Sequence, residues 1–159
     1  NLAAVVALGA RDRGGPAIAF QLLVYPMIDD RTARRPDPRP RVRRMWSGRS
    51  NRFGWSSYLG GDVRTVDDVA PYAAPARAED LTGLPPAWIG VGSVDLFHDE
   101  DLAYAHRLES AGVPAEVHVE PGMYHAAEVD LHTTVPSMQA FRRALFDAIA
   151  AGLHLEGAR

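Results

Sequence analysis

Residues 18–25, Ile-Ala-Phe-Gln-Leu-Leu-Val-Tyr, form a nearly unbroken apolar run rich in β-formers. That is the pattern of a parallel strand buried on both faces, and such a strand needs neighbours. Two further strands are legible, at 87–91 and at 115–120. In the latter Val117 and Val119 alternate with Glu116, His118 and Glu120, so one face is expected to be wet and the strand to lie at or near an edge. Helical periodicity fills the gaps. Residues 2–8 are apolar almost all round, predicting a helix covered on most sides, with Asn1 placed to cap it and Gly14, Gly15 and Pro16 to end it. Asp99 is placed as the N-cap of a helix over 99–111, with Leu102, Ala105 and Leu108 as its buried stripe and Gly112 and Pro114 as its stop. Met138, Phe141, Leu145 and Ile149 give a closing amphipathic helix over 135–151. Strands alternating with helices predict an α/β sheet. Three strands are too few to cover residues 18–25, so the sheet looks incomplete on its amino-terminal side.

Between these elements, residues 29–61 change character. Seven arginines from Arg31 to Arg44 are interleaved with Pro36, Pro38 and Pro40, then comes a short helix bearing Phe53, Trp55, Tyr58 and Leu59. The segment reads as irregular, solvated chain lying over the carboxyl edge of the sheet, closed by a cap-like helix. Aromatic stacking partners are missing from the Arg run, which argues against a nucleic-acid arm. A net charge of −3 argues the same way and gives no pull towards an anionic membrane. No apolar run reaches the length of a membrane span. With no cysteine in 159 residues, thiol catalysis, disulfides and zinc–thiolate sites are excluded. His98, His106, His118, His132 and His154 share no ligand spacing with carboxylates, so neither a metal nor a cofactor is expected. A cytoplasmic location is expected, with secretion left open.

The chemistry concentrates at the ends of two strands. One strand runs through Gly-Val-Gly-Ser-Val to Asp95, and the next leads through Pro-Gly-Met-Tyr to His125. In parallel α/β sheets reactive groups gather beyond the carboxyl ends of the strands, so the two side chains are expected to meet. A carboxylate holding an imidazole in one tautomer is two thirds of a nucleophile, base and orienter arrangement. The nucleophile is not found. Ser93 follows Gly90 and Gly92 but lacks the Gly-x-Ser-x-Gly frame of a nucleophile elbow, as do Ser47, Ser50, Ser56, Ser57, Ser110 and Ser137. Asp99 and Glu100 are better read as helix-start residues favoured by the macrodipole than as the acid. Trp46, Phe53, Trp55 and Tyr58 are placed either to line a ligand pocket or to glue the helix to the body, with glue favoured.

Six motifs, in order, carry a resemblance. They are Asn-Leu-Ala-Ala at the start, Leu-Val-Tyr-Pro-Met-Ile-Asp at 23–29, Leu-Thr-Gly-Leu-Pro-Pro-Ala at 81–87, Val-Asp-Leu-Phe-His-Asp-Glu at 94–100, Leu-Glu-Ser-Ala-Gly-Val-Pro at 108–114 and Pro-Gly-Met-Tyr-His at 121–125. Together they resemble the hormone-sensitive-lipase-like branch of the α/β-hydrolases, the carboxylesterases and lipases. The resemblance implies that residues 1–159 are the carboxyl-terminal portion of a doubly wound parallel sheet, with a short cap-like insertion at 29–61. It implies Asp95 as triad acid and His125 as triad base of a carboxylic ester hydrolase acting on a small-molecule ester. The family's elbow, Gly-Asp-Ser-Ala-Gly-Gly-Asn, would end on Asn1, putting the serine four positions earlier, and its His-Gly-Gly-Gly oxyanion loop would lie further upstream. The chain by itself is therefore expected to be inactive. Where the family continues His-Gly-Phe, this chain has His125-Ala126-Ala127. A homodimer through the last strand, 115–120, is implied too. The alternatives are a non-catalytic ligand-binding or receptor-like module of the same fold, and a peptidase-type α/β-hydrolase.

Overall fold

A computed structural model describes residues 1–130 and 133–153. Three strands, β1 (Gln21–Val24), β2 (Ala87–Gly92) and β3 (Ala115–Glu120), form a parallel sheet in the order β1-β2-β3, with Leu23 opposite Ile89 and Ile89 opposite Val117. Side chains alternate across it. Leu23, Ala87 and Ile89 face α1 (Leu2–Asp12) and α3 (His98–Ser110), packing with Ala4, Leu8, Tyr104 and Leu108. Leu22, Val24 and Trp88 face α4 (Pro136–Gly152), packing with Met138 and Phe141. Helices thus cover both faces, as a parallel sheet requires. Gly90 makes room on the α4 side: a Cβ there would stand 2.2 Å from the Trp88 ring.

Several expectations change. The strand in 18–25 is only four residues long, and it alternates between buried Gln21 and Leu23 and half-buried Leu22 and Val24. It pairs with β2 alone among the described residues, so only β2 is buried at every position. α1 uses one face: Ala4, Ala7 and Leu8 are buried, while Leu2 and Val6 are 65% and 59% exposed. Asn1 makes no side-chain cap and instead donates its Nδ2 to the Ala73 carbonyl at 3.0 Å. β3 lies at the sheet edge as expected, but its polar face is wet only in part: Glu116 is exposed, while α4 packs over the rest. His118 lies against Trp88 and Phe141, and Glu120 is buried. Phe97, not Asp99, holds the N-cap position of α3.

Nor is the arginine-rich segment simply solvated. Asp30 is fully buried between Arg34 and Arg77, at 3.1 and 2.5 Å. Arg43, its side chain only 4% exposed, pairs with Asp37 at 3.0 Å and donates to the Val94 carbonyl at 2.6 Å. Arg77 and the Val94 carbonyl are distant in sequence from the groups they meet, and an arginine withdrawn from water is stable only when paired in this way. The helix α2 (Gly48–Leu59) starts at Ser47, whose hydroxyl accepts from Ser50 N at 3.2 Å. It inserts Trp55 into a small second core with Ala33, Val63, Val69 and Ala74.

Candidate active site

The end of β2 turns sharply, with Asp95 N–H donating back to the Gly92 carbonyl at 3.0 Å. The turn aims the Asp95 side chain inward, fully buried. Its Oδ1 accepts from Phe97 N at 3.0 Å, which orients the carboxylate and begins α3. β3 ends in a turn at Gly122, whose φ of +71° suits glycine. The loop that follows is fastened to the β2 exit twice. Gly122 N–H donates to Ser93 Oγ at 2.9 Å, and Val94 N–H donates to the Met123 carbonyl at 3.2 Å. Ser93, excluded as a nucleophile by its frame, thus has a structural task. The approach is close because Gly92 has no side chain: a Cβ there would lie 2.0 Å from the Met123 oxygen.

This double fastening brings His125 to Asp95, with Nδ1 3.0 Å from Oδ2 and the imidazole side chain 15% exposed. The carboxylate calls for a proton on Nδ1, which leaves the Nε2 lone pair to accept one. Three rings surround the imidazole. Tyr25 lies edge-on at 4.4 Å between centroids, Phe97 at 5.3 Å and Trp46 at 5.8 Å. Of the four aromatics in doubt, Trp46 alone reaches the site. Trp55 is core, while Phe53 and Tyr58 are 74% and 45% exposed. The contribution of Tyr25 and Phe97 was not foreseen. Both lie inside quoted motifs, but ring contacts across loops leave no spacing to read.

The remaining acidic residues separate. Asp99 has an exposed side chain paired with His98 at 2.7 Å, as a helix-start residue should be. Glu100 stands in the same first turn but is buried: its Oε1 accepts from Ile28 N at 2.8 Å and Asp29 N at 3.1 Å, and burial pushes its carboxyl up to about 8. Asp101 is fully buried beside it and is raised well above the usual carboxylate range by desolvation and then by Glu100 and Asp95. Neither is bonded to His125. A cleft of about 420 Å³ opens among Arg31, Arg35, Arg39, Arg43 and Asp95, but His125 is not on its wall, so it is not where a group attacked near Nε2 would lie. His118 pairs with Glu120 at 3.1 Å, His106 is exposed, and His132 and His154 lie outside the described residues. Among the described residues no cluster of three or more potential ligands could hold a metal.

A buried acid, an oriented imidazole and a glycine-permitted junction between two strand ends are what acyl-transfer triads require of two of their members. Comparison with known proteins points the same way. Residues 1–129 match the family described as alpha/beta hydrolase fold. Esterase LipI of Mycobacterium tuberculosis is 36% identical over 131 residues, covering 79% of this chain and 38% of that protein. Carboxylesterase NlhH of the same organism is 37% identical over 134 residues, covering 79% and 39%. Among solved structures, a bacterial heroin esterase superposes with a TM-score of 0.81 at 38% identity, covering 94% of this chain and 47% of that one. The chain therefore spans less than half the length of these relatives. With a matching family over most of its length and esterases among its relatives in both sequence and structure, the chain belongs to the hormone-sensitive-lipase-like branch of the α/β-hydrolases.

Proposed function

We propose that Asp95 and His125 are the acid and base of a carboxylic ester hydrolase. The observation that carries this reading is the 3.0 Å contact between His125 Nδ1 and a buried Asp95 oxygen, together with relatives named esterase and carboxylesterase. In the mechanism a serine hydroxyl attacks the ester carbonyl, His125 Nε2 takes its proton, and the tetrahedral intermediate expels the alcohol as Nε2 returns the proton. Asp95 holds the tautomer and stabilises the imidazolium, then water repeats the cycle on the acyl-enzyme. None of the seven serines in these 159 residues has the Gly-x-Ser-x-Gly frame. We assign the nucleophile to a segment preceding Asn1, as the family's motif order implies, together with the oxyanion donors that contribute about 3 kcal/mol per hydrogen bond.

Two measurements with a short-chain nitrophenyl ester test this. The 159-residue chain should show no turnover above buffer, and turnover that His125→Ala abolishes would reveal another nucleophile. An esterase made by extending the chain upstream through the elbow should lose about 10⁴-fold in kcat on Asp95→Asn, and a similar amount on His125→Ala. Persistence of full activity in either variant would remove the assignment. A ligand-binding module of the same fold would have no use for a buried, oriented acid–imidazole pair, so the retained geometry favours the enzyme.

A further inference from the structure

His125 has more support than Asp95 supplies. Tyr25, the residue that follows β1, packs its ring against the imidazole at 4.4 Å, and its hydroxyl donates to Glu128 Oε1 at 2.8 Å. Glu128 lies on the one-turn 3-10 helix Ala127–Val129 that follows the histidine loop, and it is 5% exposed, with Oε2 buried and unpartnered. A carboxyl group is costly in such a place, and apolar packing alone does not call for one. The bond joins the exit of β1 to the segment just beyond His125, closing a loop of contacts around the ring. Both residues flanking this loop are strained. Tyr25 has φ +37° and Ala126 has φ +59°, and Met45 is the only other described non-glycine residue with positive φ. Such conformations persist where the surroundings over-determine them, and they cluster at functional sites.

We propose that Tyr25 and Glu128 are positioning residues for His125, the hydroxyl–carboxylate bond fixing the Tyr25 ring so that the imidazole is held from a second direction besides Asp95. The proposal deepens the esterase reading and rests on it, since the pair matters to catalysis only where His125 is the base. Burial and the Glu128 bond raise the Tyr25 hydroxyl above its ordinary range, so it remains a donor throughout the working pH of an esterase. The other charged groups nearby have separate tasks. Asp95 bonds Nδ1, Arg43 bonds the Val94 carbonyl, Asp101 stands behind Asp95 on α3, and Arg142 of α4 reaches the Glu128 and Asp130 carbonyls at 3.5 and 3.1 Å.

The test uses the full 159-residue chain with nitrogen-labelled histidine and needs no turnover. The Nδ1 proton of His125, identified by its loss in His125→Ala, is followed by NMR for exchange with water. Tyr25→Phe keeps the ring and removes only the hydroxyl, and should speed exchange about three- to tenfold, the factor for one lost hydrogen bond. Glu128→Ala should match it, and the double variant should add nothing further. Glu128→Gln, which still offers an oxygen to the hydroxyl, should restore most of the protection. Wild-type exchange in both single variants, or additive losses in the double, overturns the proposal. Should Tyr25→Phe fail to fold by circular dichroism, the contrast between Glu128→Ala and Glu128→Gln decides alone. A wild-type Nδ1 proton indifferent to Asp95→Asn would instead count against the esterase reading itself.

Discussion

Ala126 has φ +59° and ψ +27° immediately after His125, at the position where the resemblance to His-Gly-Phe implies glycine. A Cβ in the left-handed region costs about 1 kcal/mol, so Ala126→Gly should raise stability by up to about 1 kcal/mol, offset in part by the greater freedom of glycine in the unfolded chain. Calorimetry should show a Tm a few degrees higher, and a lower Tm would mean that the methyl group packs favourably. That Asp95 and His125 meet could be read from the sequence because a polar side chain at a strand end leaves a local signature: an apolar run, a turn residue, a carboxylate or an imidazole. Tyr25, Phe97 and Glu128 left none. Their relation to His125 exists only once β1, β2 and β3 lie side by side, and it depends on ring edges and one hydroxyl rather than on spacing.

Among the elements, the β2 exit governs the site. Gly92→Ala would drive a Cβ into the Met123 carbonyl, so the histidine loop must lift away. The expected cost is about 1–3 kcal/mol in urea denaturation, and an unchanged midpoint would show the junction to be pliant. The start of α3 carries a second prediction. Glu100 is raised to about 8 from an ordinary 4.5, so between those values the folded state binds the proton that the unfolded state has released. Stability from this group is present below the unfolded value and is lost as pH rises towards 8. Glu100→Gln keeps an oxygen for the Ile28 and Asp29 amides, and should gain on the wild type by about 1 kcal/mol per pH unit between pH 5.5 and 7.5. Parallel stability curves would refute the shift. The bounds of β2, β3, α3 and α4 were legible to within a residue or two because each repeats an apolar period against a core. The arginine segment was not, since solvated and ion-paired arginine look alike until Asp30, Arg34 and Arg77 are brought together. The two-sided burial expected of residues 18–25 failed for a related reason: composition reports what a strand tolerates, and only its neighbours decide what is covered.

At the scale of the whole molecule, β1 is paired along one edge only among the described residues, and Leu2 and Val6 stand exposed on α1. Unpaired strand edges and exposed apolar faces favour association. We predict that the 159-residue chain elutes from size exclusion as a self-associated species, and that a sharp monomeric peak with cooperative melting would contradict this. β3 offers the opposite edge, and a homodimer through it remains our proposal. Among the described residues no helix is long and apolar enough to cross a membrane. Asp95 and His125 come from neighbouring strands joined by a single crossover, α3. A parallel pair must close its crossover before any ladder bond rewards it, so contacts of this kind form slowly. The Asp95–His125 contact therefore waits on the docking of β3 beside β2, and whatever loosens that seam releases the imidazole with it.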